Sequence, residues 1–271
     1  MATVIPVTSF KGGVGKTTVS CALAMLLAKR GHAVVICDAD LESRCLDLVA
    51  GLSEVPLFNV CDAVKGTCDL DAVLVSDERF PTLSYITAPA FYPEAVSDRS
   101  TDGIFTPEAV GAFVSALRSR FDYVIFDLPA RPDGFYKQLL RQADAVLVVS
   151  LPTATSIRSA EKTAIAVHEL RQGLPEADVR LIVNGFRPAD VKAGDGAGLY
   201  DILSRTRLAL AGVIPYDAMM MREQEKGTPA AASSKSLSFT KAVSNIVSRI
   251  EGRHVRLLAG IRTGIKNRDL Y

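Results

Sequence analysis

The segment Lys11-Gly12-Gly13-Val14-Gly15-Lys16-Thr17-Thr18 constrains this chain more than any other. It follows the apolar run Val4-Ile5-Pro6-Val7 and precedes Val19-Ser20-Cys21-Ala22-Leu23-Ala24-Met25-Leu26-Leu27-Ala28, the order of a strand, a glycine-rich turn and a helix. A Cβ at these glycines would block either the turn or an approaching anion, so the backbone can curl with its N–H groups inward. A helix opening at Lys16 adds the positive end of its dipole and its unpaired N–H groups to the same concavity. Lys16 supplies a point charge for terminal phosphates, and the Thr17 hydroxyl is placed to bind Mg2+. A glycine turn that merely joins strand to helix is the plainer alternative. Three glycines, a lysine and a threonine in one register favour a nucleotide-binding loop.

At 271 residues the chain suits one large α/β domain with a substantial core. Its composition, 48% hydrophobic and 23% charged, is that of a soluble globular protein. It contains no run of eighteen apolar residues, and Met1-Ala2-Thr3 lacks the start of a secretory signal, so a cytoplasmic protein is expected. The five cysteines include no CxxC pair and the three histidines lie far apart, which argues against a structural metal.

Two further carboxylate positions belong with the loop. Ala33-Val34-Val35-Ile36-Cys37 reads as a buried parallel strand that delivers Asp38 and Asp40 to the carboxyl edge of the sheet, where ligands sit in such folds. Tyr123-Val124-Ile125-Phe126 ends in Asp127, as a Walker B strand does, with the carboxylate aimed at the phosphate loop. Strands follow at Val146–Ser150, Val179–Phe186 and near Leu210, alternating with helical stretches. That alternation favours a doubly wound, mostly parallel sheet with helices on both faces. From Pro89 to Pro107 there is no clear periodicity, and the stretch reads as a long loop, either an active-site lid or a surface excursion.

Lys11 gives the loop the form KGGxGKT, which resembles the MinD/ParA family of ATPases. The resemblance continues in order along the chain: Asp38-Ala39-Asp40 through Leu48 is similar to the family's first switch, Asp127-Leu128-Pro129-Ala130 to its second, and Val213-Ile214-Pro215-Tyr216-Asp217 to the VIPxD loop beside adenine. It implies ATP and Mg2+ as ligands, with Lys11 through Thr18 around the phosphates, Thr17, Asp38 and Asp127 at the metal, and Asn184 and Pro215 at the adenine. It implies Lys11, Lys16 and Asp40 as catalytic groups, Asp40 orienting the attacking water, and an ATP-dependent homodimer in which Lys11 reaches the partner's phosphates. On chemistry alone Lys11 fits a solvated surface charge equally well, and Asn184 before Gly185 fits a turn. Cys45 stands where the family usually has Asn, which puts any seam contact made by that Asn in doubt. Met219-Met220-Met221 reads as packing and adaptable contact rather than a cofactor feature.

Residues 1–252 are expected to form the ATPase domain and residues 253–271 a basic amphipathic tail. On a helix, Leu257, Leu258, Ile261 and Ile265 share one side, with Arg256, Arg262 and Lys266 around the others. That pattern suits reversible anchoring on an anionic membrane surface. A helix docked on the parent domain and a disordered basic end are the alternatives. Within the family, a septum-placing role with regulatory protein partners fits best. A DNA-binding segregation ATPase, and one that positions flagella or pili, share the same chemistry.

Overall fold

The computed structural model describes residues 2–53, 56–90, 101–233, 235 and 237–261. β1 (Thr3–Thr8) passes through the glycine turn into α1 (Lys16–Lys29), followed by β2 (Val34–Asp38), α2 (Leu46–Ala50) and α3 (Val60–Lys65). β3 (Val75–Ser76), β4 (Leu83–Ile86), α4 (Thr101–Ile104), α5 (Pro107–Arg118), β5 (Tyr123–Asp127) and α6 (Gly134–Arg141) come next. Then come β6 (Ala145–Ser150), α7 (Ala154–Leu170), β7 (Asp178–Phe186), α8 (Pro188–Ala193), α9 (Leu199–Thr206), β8 (Ala209–Pro215), α10 (Ala218–Glu225) and α11 (Ser238–Ile250).

The strands form one eight-stranded sheet in the order β3-β4-β2-β5-β1-β6-β7-β8. β3 pairs antiparallel with β4, and the other pairings are parallel. The chain first winds from β1 toward β2 and β4, then returns through β5 and runs outward on the far side through β6, β7 and β8. The reversal beside β1 is the position at which doubly wound sheets bind ligands. Successive residues of each strand serve opposite faces. Val4, Val35 and Val124 join the layer under α3, α5, α6 and α7, while Ile5, Ile36 and Ile125 join the layer under α1 and α11. α1 is apolar nearly all round because α11 packs against its outer side. α11 can lie close on β8 because Gly212 has no side chain; a Cβ there would stand 2.5 Å from Ile246 Cγ1.

Two stretches differ from the sequence expectation. Residues 91–100 of the Pro89–Pro107 loop lie outside the described residues, but α4 falls within its second half. Four residues are too few to show helical periodicity in a sequence. α5 begins at Pro107, the end of that loop, with the Thr106 hydroxyl accepting from Ala109 N at 3.2 Å. After α11, Gly252 takes a left-handed φ of +79° and ends the helix. Residues 253–258 then form no helix, and the Arg249 guanidinium donates to Ala211 O at 2.9 Å and to Val255 O at 2.6 Å. Leu257, Leu258 and Ile261 are half-buried against the domain rather than arrayed on a free helical face, and Ile265 lies outside the described residues. Without a lipid phase, the nearest apolar surface for these side chains is the domain itself.

One buried polar cluster fixes the end of α2. The Asp77 carboxylate accepts from Tyr85 Oη at 2.7 Å and from Arg79 N, Nε and Nη2, and Arg79 Nη2 also donates to Ala50 O at 2.7 Å. Burial pushes the Asp77 carboxyl up, but the hydrogen bonds from Arg79 and Tyr85 outweigh it and hold it below the ordinary value. Its contribution to stability is therefore complete above the unfolded carboxylate pKa of about 3.9 and is lost as pH falls through the folded value. Asp77→Asn is expected to cost about 2 kcal/mol at neutral pH, measured by urea denaturation, and the gap from the parent should narrow at pH 3.

Candidate functional site

The glycine turn carries the backbone that the loop reading requires. Gly13 and Gly15 sit at φ +73° and +89°, a region that L side chains rarely adopt. Gly15 caps α1 with no side-chain hydrogen bond, and the first turn holds no acidic residue. The opening amides of α1 are therefore left for an anion, and the dipole favours one. Gly12, Gly13, Gly15, Lys16, Thr17 and Thr18 line a cavity of about 610 Å³, closed on its other sides by Asp40–Ser43, Cys45, Val49 and the segment from Pro129 to Asp133.

Adjacent strand ends place two carboxylates below it, since Asp38 and Asp127 are register partners on β2 and β5. Both are buried. Burial first, and then the neighbouring Asp127, push Asp38 well above the ordinary carboxylate range. Burial raises Asp127 to about 6 against the Thr17 and Ser20 hydroxyls and Lys16, which favour its ionised form. Lys16 is itself buried, and desolvation lowers its pKa while Asp127 and Asp40 draw it back up. One cation thus faces two buried acids, and the pocket is short of positive charge. A divalent ion beside Thr17, Asp38 and Asp127 fits that deficit. Among the described residues no group of three His, Cys, Asp or Glu side chains could hold a metal alone. An ion here would complete its shell with water and phosphate oxygens, as Mg2+ does.

The segment after β2 is shaped by its own side chains. Asp38 Oδ1 accepts from Asp40 N at 3.0 Å, and Asp38 Oδ2 accepts from Leu46 N at 3.2 Å. Asp40 Oδ1 accepts from Ser43 N at 3.0 Å. Cys45 precedes α2 without a side-chain cap, and Asp38 satisfies the first amide of α2. Arg44 is one of two non-glycine residues with positive φ among those described, at +38°, and its guanidinium pairs with Asp47.

A second cavity of about 330 Å³ shares Gly13, Gly15 and Thr18 with the first and adds Asn184, Pro215, Tyr216, Met220, Met221 and Gln224. The two expected adenine residues therefore meet in one pocket that runs into the phosphate loop. Met220 and Met221, from the run read as packing and adaptable contact, line it, and the Asp217 carboxylate starts α10 beside it by accepting from Met219 N and Met220 N. Thioethers there suit contact with an aromatic face. Lys11 lines neither cavity. Its Nζ donates to Thr155 Oγ1 on α7 at 2.5 Å.

Sequence reasoning missed three participants. Ser20 lies within hydrogen-bond distance of both Lys16 O and Asp127 Oδ1, and its place one helical turn after Lys16 could have shown it. Thr155 and Gln224 come from distant segments and carry no local signal. Gln224 reaches the Thr18 hydroxyl at 3.3 Å.

Residues 5–230 match the family model described as the CobQ/CobB/MinD/ParA nucleotide binding domain. The chain belongs to this family. It is 34% identical over 257 residues to the septum site-determining protein MinD of Bacillus subtilis, covering 95% of this chain and 92% of that one. It is 33% identical over 262 residues to the MinD of Synechocystis sp., covering 95% and 92%. The MinC:MinD cell division protein complex of Aquifex aeolicus matches with a TM-score of 0.81 at 26% identity, covering 95% of this chain and 98% of that one. The family's domain binds a nucleotide, and MinD/ParA domains are ATPases. No helix among the described residues is long and apolar enough to cross a membrane.

Proposed function

We propose that this protein is a MinD-type ATPase whose ATP-bound form dimerises, holds an anionic membrane surface and takes part in placing the division site. The observation that carries the nucleotide chemistry is the junction of a cation-deficient phosphate cavity with a base-sized cavity across Gly13, Gly15 and Thr18. In the bound state, the loop amides and Lys16 hold the phosphates, and Asn184 and Pro215 flank the base. Thr17, Asp38 and Asp127 would hold Mg2+, which would supply positive charge against the phosphates. Asp40 orients and polarises a water in line with the γ-phosphorus. As the bond to the departing ADP oxygen breaks, Lys16 meets the charge that gathers there. Loss of phosphate frees the Asp40–Arg44 segment and the segment after Asp127 to relax.

Dimerisation is assigned to Lys11, which leaves Thr155 to reach the phosphates of a second copy. Lys11→Ala is expected to bind ADP as the parent does, because its ammonium lies outside both cavities. It should remain monomeric with a non-hydrolysable ATP analogue, while the parent doubles in mass by light scattering. A variant that still doubles would remove Lys11 from the interface.

Membrane attachment is assigned to residues 253–271, with Leu257, Leu258, Ile261 and Ile265 entering the lipid surface once the segment leaves the domain. Two tails in one dimer multiply a weak single-tail affinity. Sedimentation with phosphatidylglycerol vesicles should require ATP and should fail for a chain ending at Glu251. Sedimentation that survives truncation would refute the anchor, and ATP-dependent retention on DNA instead would favour a segregation role. The MinC complex of the Aquifex relative supports an effector protein as a partner.

A further inference from the structure

The Asn184 carboxamide does more in this structure than face the base cavity. Its Nδ2 donates to Val14 O at 2.8 Å, and its Oδ1 accepts from Gly185 N at 2.9 Å. The side chain is thus a strut between the end of β7 and the middle of the phosphate loop. Val14 is flanked by the left-handed Gly13 and Gly15, so the peptide that joins Val14 to Gly15 stands between two swivels. In a trans peptide the carbonyl and the N–H point in opposite directions. Holding Val14 O toward β7 turns Gly15 N–H away from β7, and Gly15 itself lines the cavity with Gly12, Gly13 and Lys16. The contact is close enough that a Cβ on Gly15 would stand 2.5 Å from Asn184 Nδ2.

We propose that Asn184 is a positioning residue for the phosphate loop, fixing the Val14–Gly15 peptide so that its N–H meets an anion, independently of any base in the adjoining cavity. The carboxamide retains one N–H and one oxygen lone pair beyond these two bonds. A purine edge that uses them joins a strut already in place, so base and phosphate recognition share one side chain. This inference rests on the nucleotide reading above and adds a claim about phosphate affinity that base recognition does not make.

The discriminating ligand is inorganic tripolyphosphate, which has phosphates and no base. Affinities for tripolyphosphate and for ADP, each with Mg2+, are measured by calorimetry on the full-length parent, Asn184→Ala and Asn184→Leu, with thermal midpoints alongside. Losing one well-formed hydrogen bond that orients an anion donor should weaken tripolyphosphate about tenfold in both variants. ADP should weaken at least as much, with thermal midpoints close to the parent's. Unchanged tripolyphosphate binding with weakened ADP would make Asn184 a base reader only and overturn the proposal. Losses that scale with a falling thermal midpoint would reduce it to general stability and overturn it as well. A parent that binds neither ligand would instead overturn the nucleotide reading itself.

Discussion

Asp40→Ala is expected to lower ATP turnover by about 10²–10⁴-fold, the range that a positioned acid–base group contributes, while ADP affinity stays close to the parent's. Asp40 lines the phosphate cavity but is not part of the glycine loop, so its carboxylate can act on a water without carrying the nucleotide. Its removal is tolerable to the fold because Asp38, not Asp40, satisfies the first amide of α2. The local cost is the bond from Ser43 N to Asp40 Oδ1. Asp40→Asn separates the two roles, since an amide oxygen can still accept from Ser43 N but cannot polarise water as a carboxylate does. Both variants should lose steady-state phosphate release alike. Parental turnover in Asp40→Asn would show that charge at this position is not required and would refute the role.

Lys16→Met is expected to cost about 10²–10³-fold in turnover, as loss of one preorganised donor to developing charge does elsewhere. A loss of nucleotide affinity should accompany it. Methionine keeps the unbranched stem that lets residue 16 sit buried, so packing is largely retained. What disappears is the one cation set against Asp38 and Asp127, two carboxyls that burial already pushes upward. Binding measured across Mg2+ concentrations should show the variant depending more steeply on the ion, because the metal becomes the remaining positive charge beside Asp38 and Asp127. Equal kinetics at saturating nucleotide would sink the assignment.

Much of the candidate site's geometry is legible in the sequence, and the reason is local. The loop from Lys11 to Thr18 encodes its own conformation: glycines where φ must be positive, then a helix whose amides have no internal partner. Asp38 and Asp127 were legible because a buried strand leaves only its last residue at the sheet edge, and parallel neighbours bring those edges level. The bonds between distant segments were not. Nothing near Asn184 announces that its amide holds Val14 O, and nothing near Lys11 announces Thr155. The Met220–Met221 contribution to the base cavity depends on how Asp217 starts α10, an orientation that apolar composition does not carry.

The tail marks the boundary most sharply. Periodicity gave Leu257, Leu258, Ile261 and Ile265 a common helical side, whereas the described backbone is irregular and the first three rest against the domain. Apolar spacing states which residues avoid water but not which surface will cover them, because burial is non-directional. Glycine conformation, strand polarity and the charge at strand ends were settled by the sequence itself, through forces acting within a few residues. Which amide braces the loop, where a long lysine rests and what shelters the last apolar residues were settled by tertiary packing, which alone fixes distances between segments far apart in the chain.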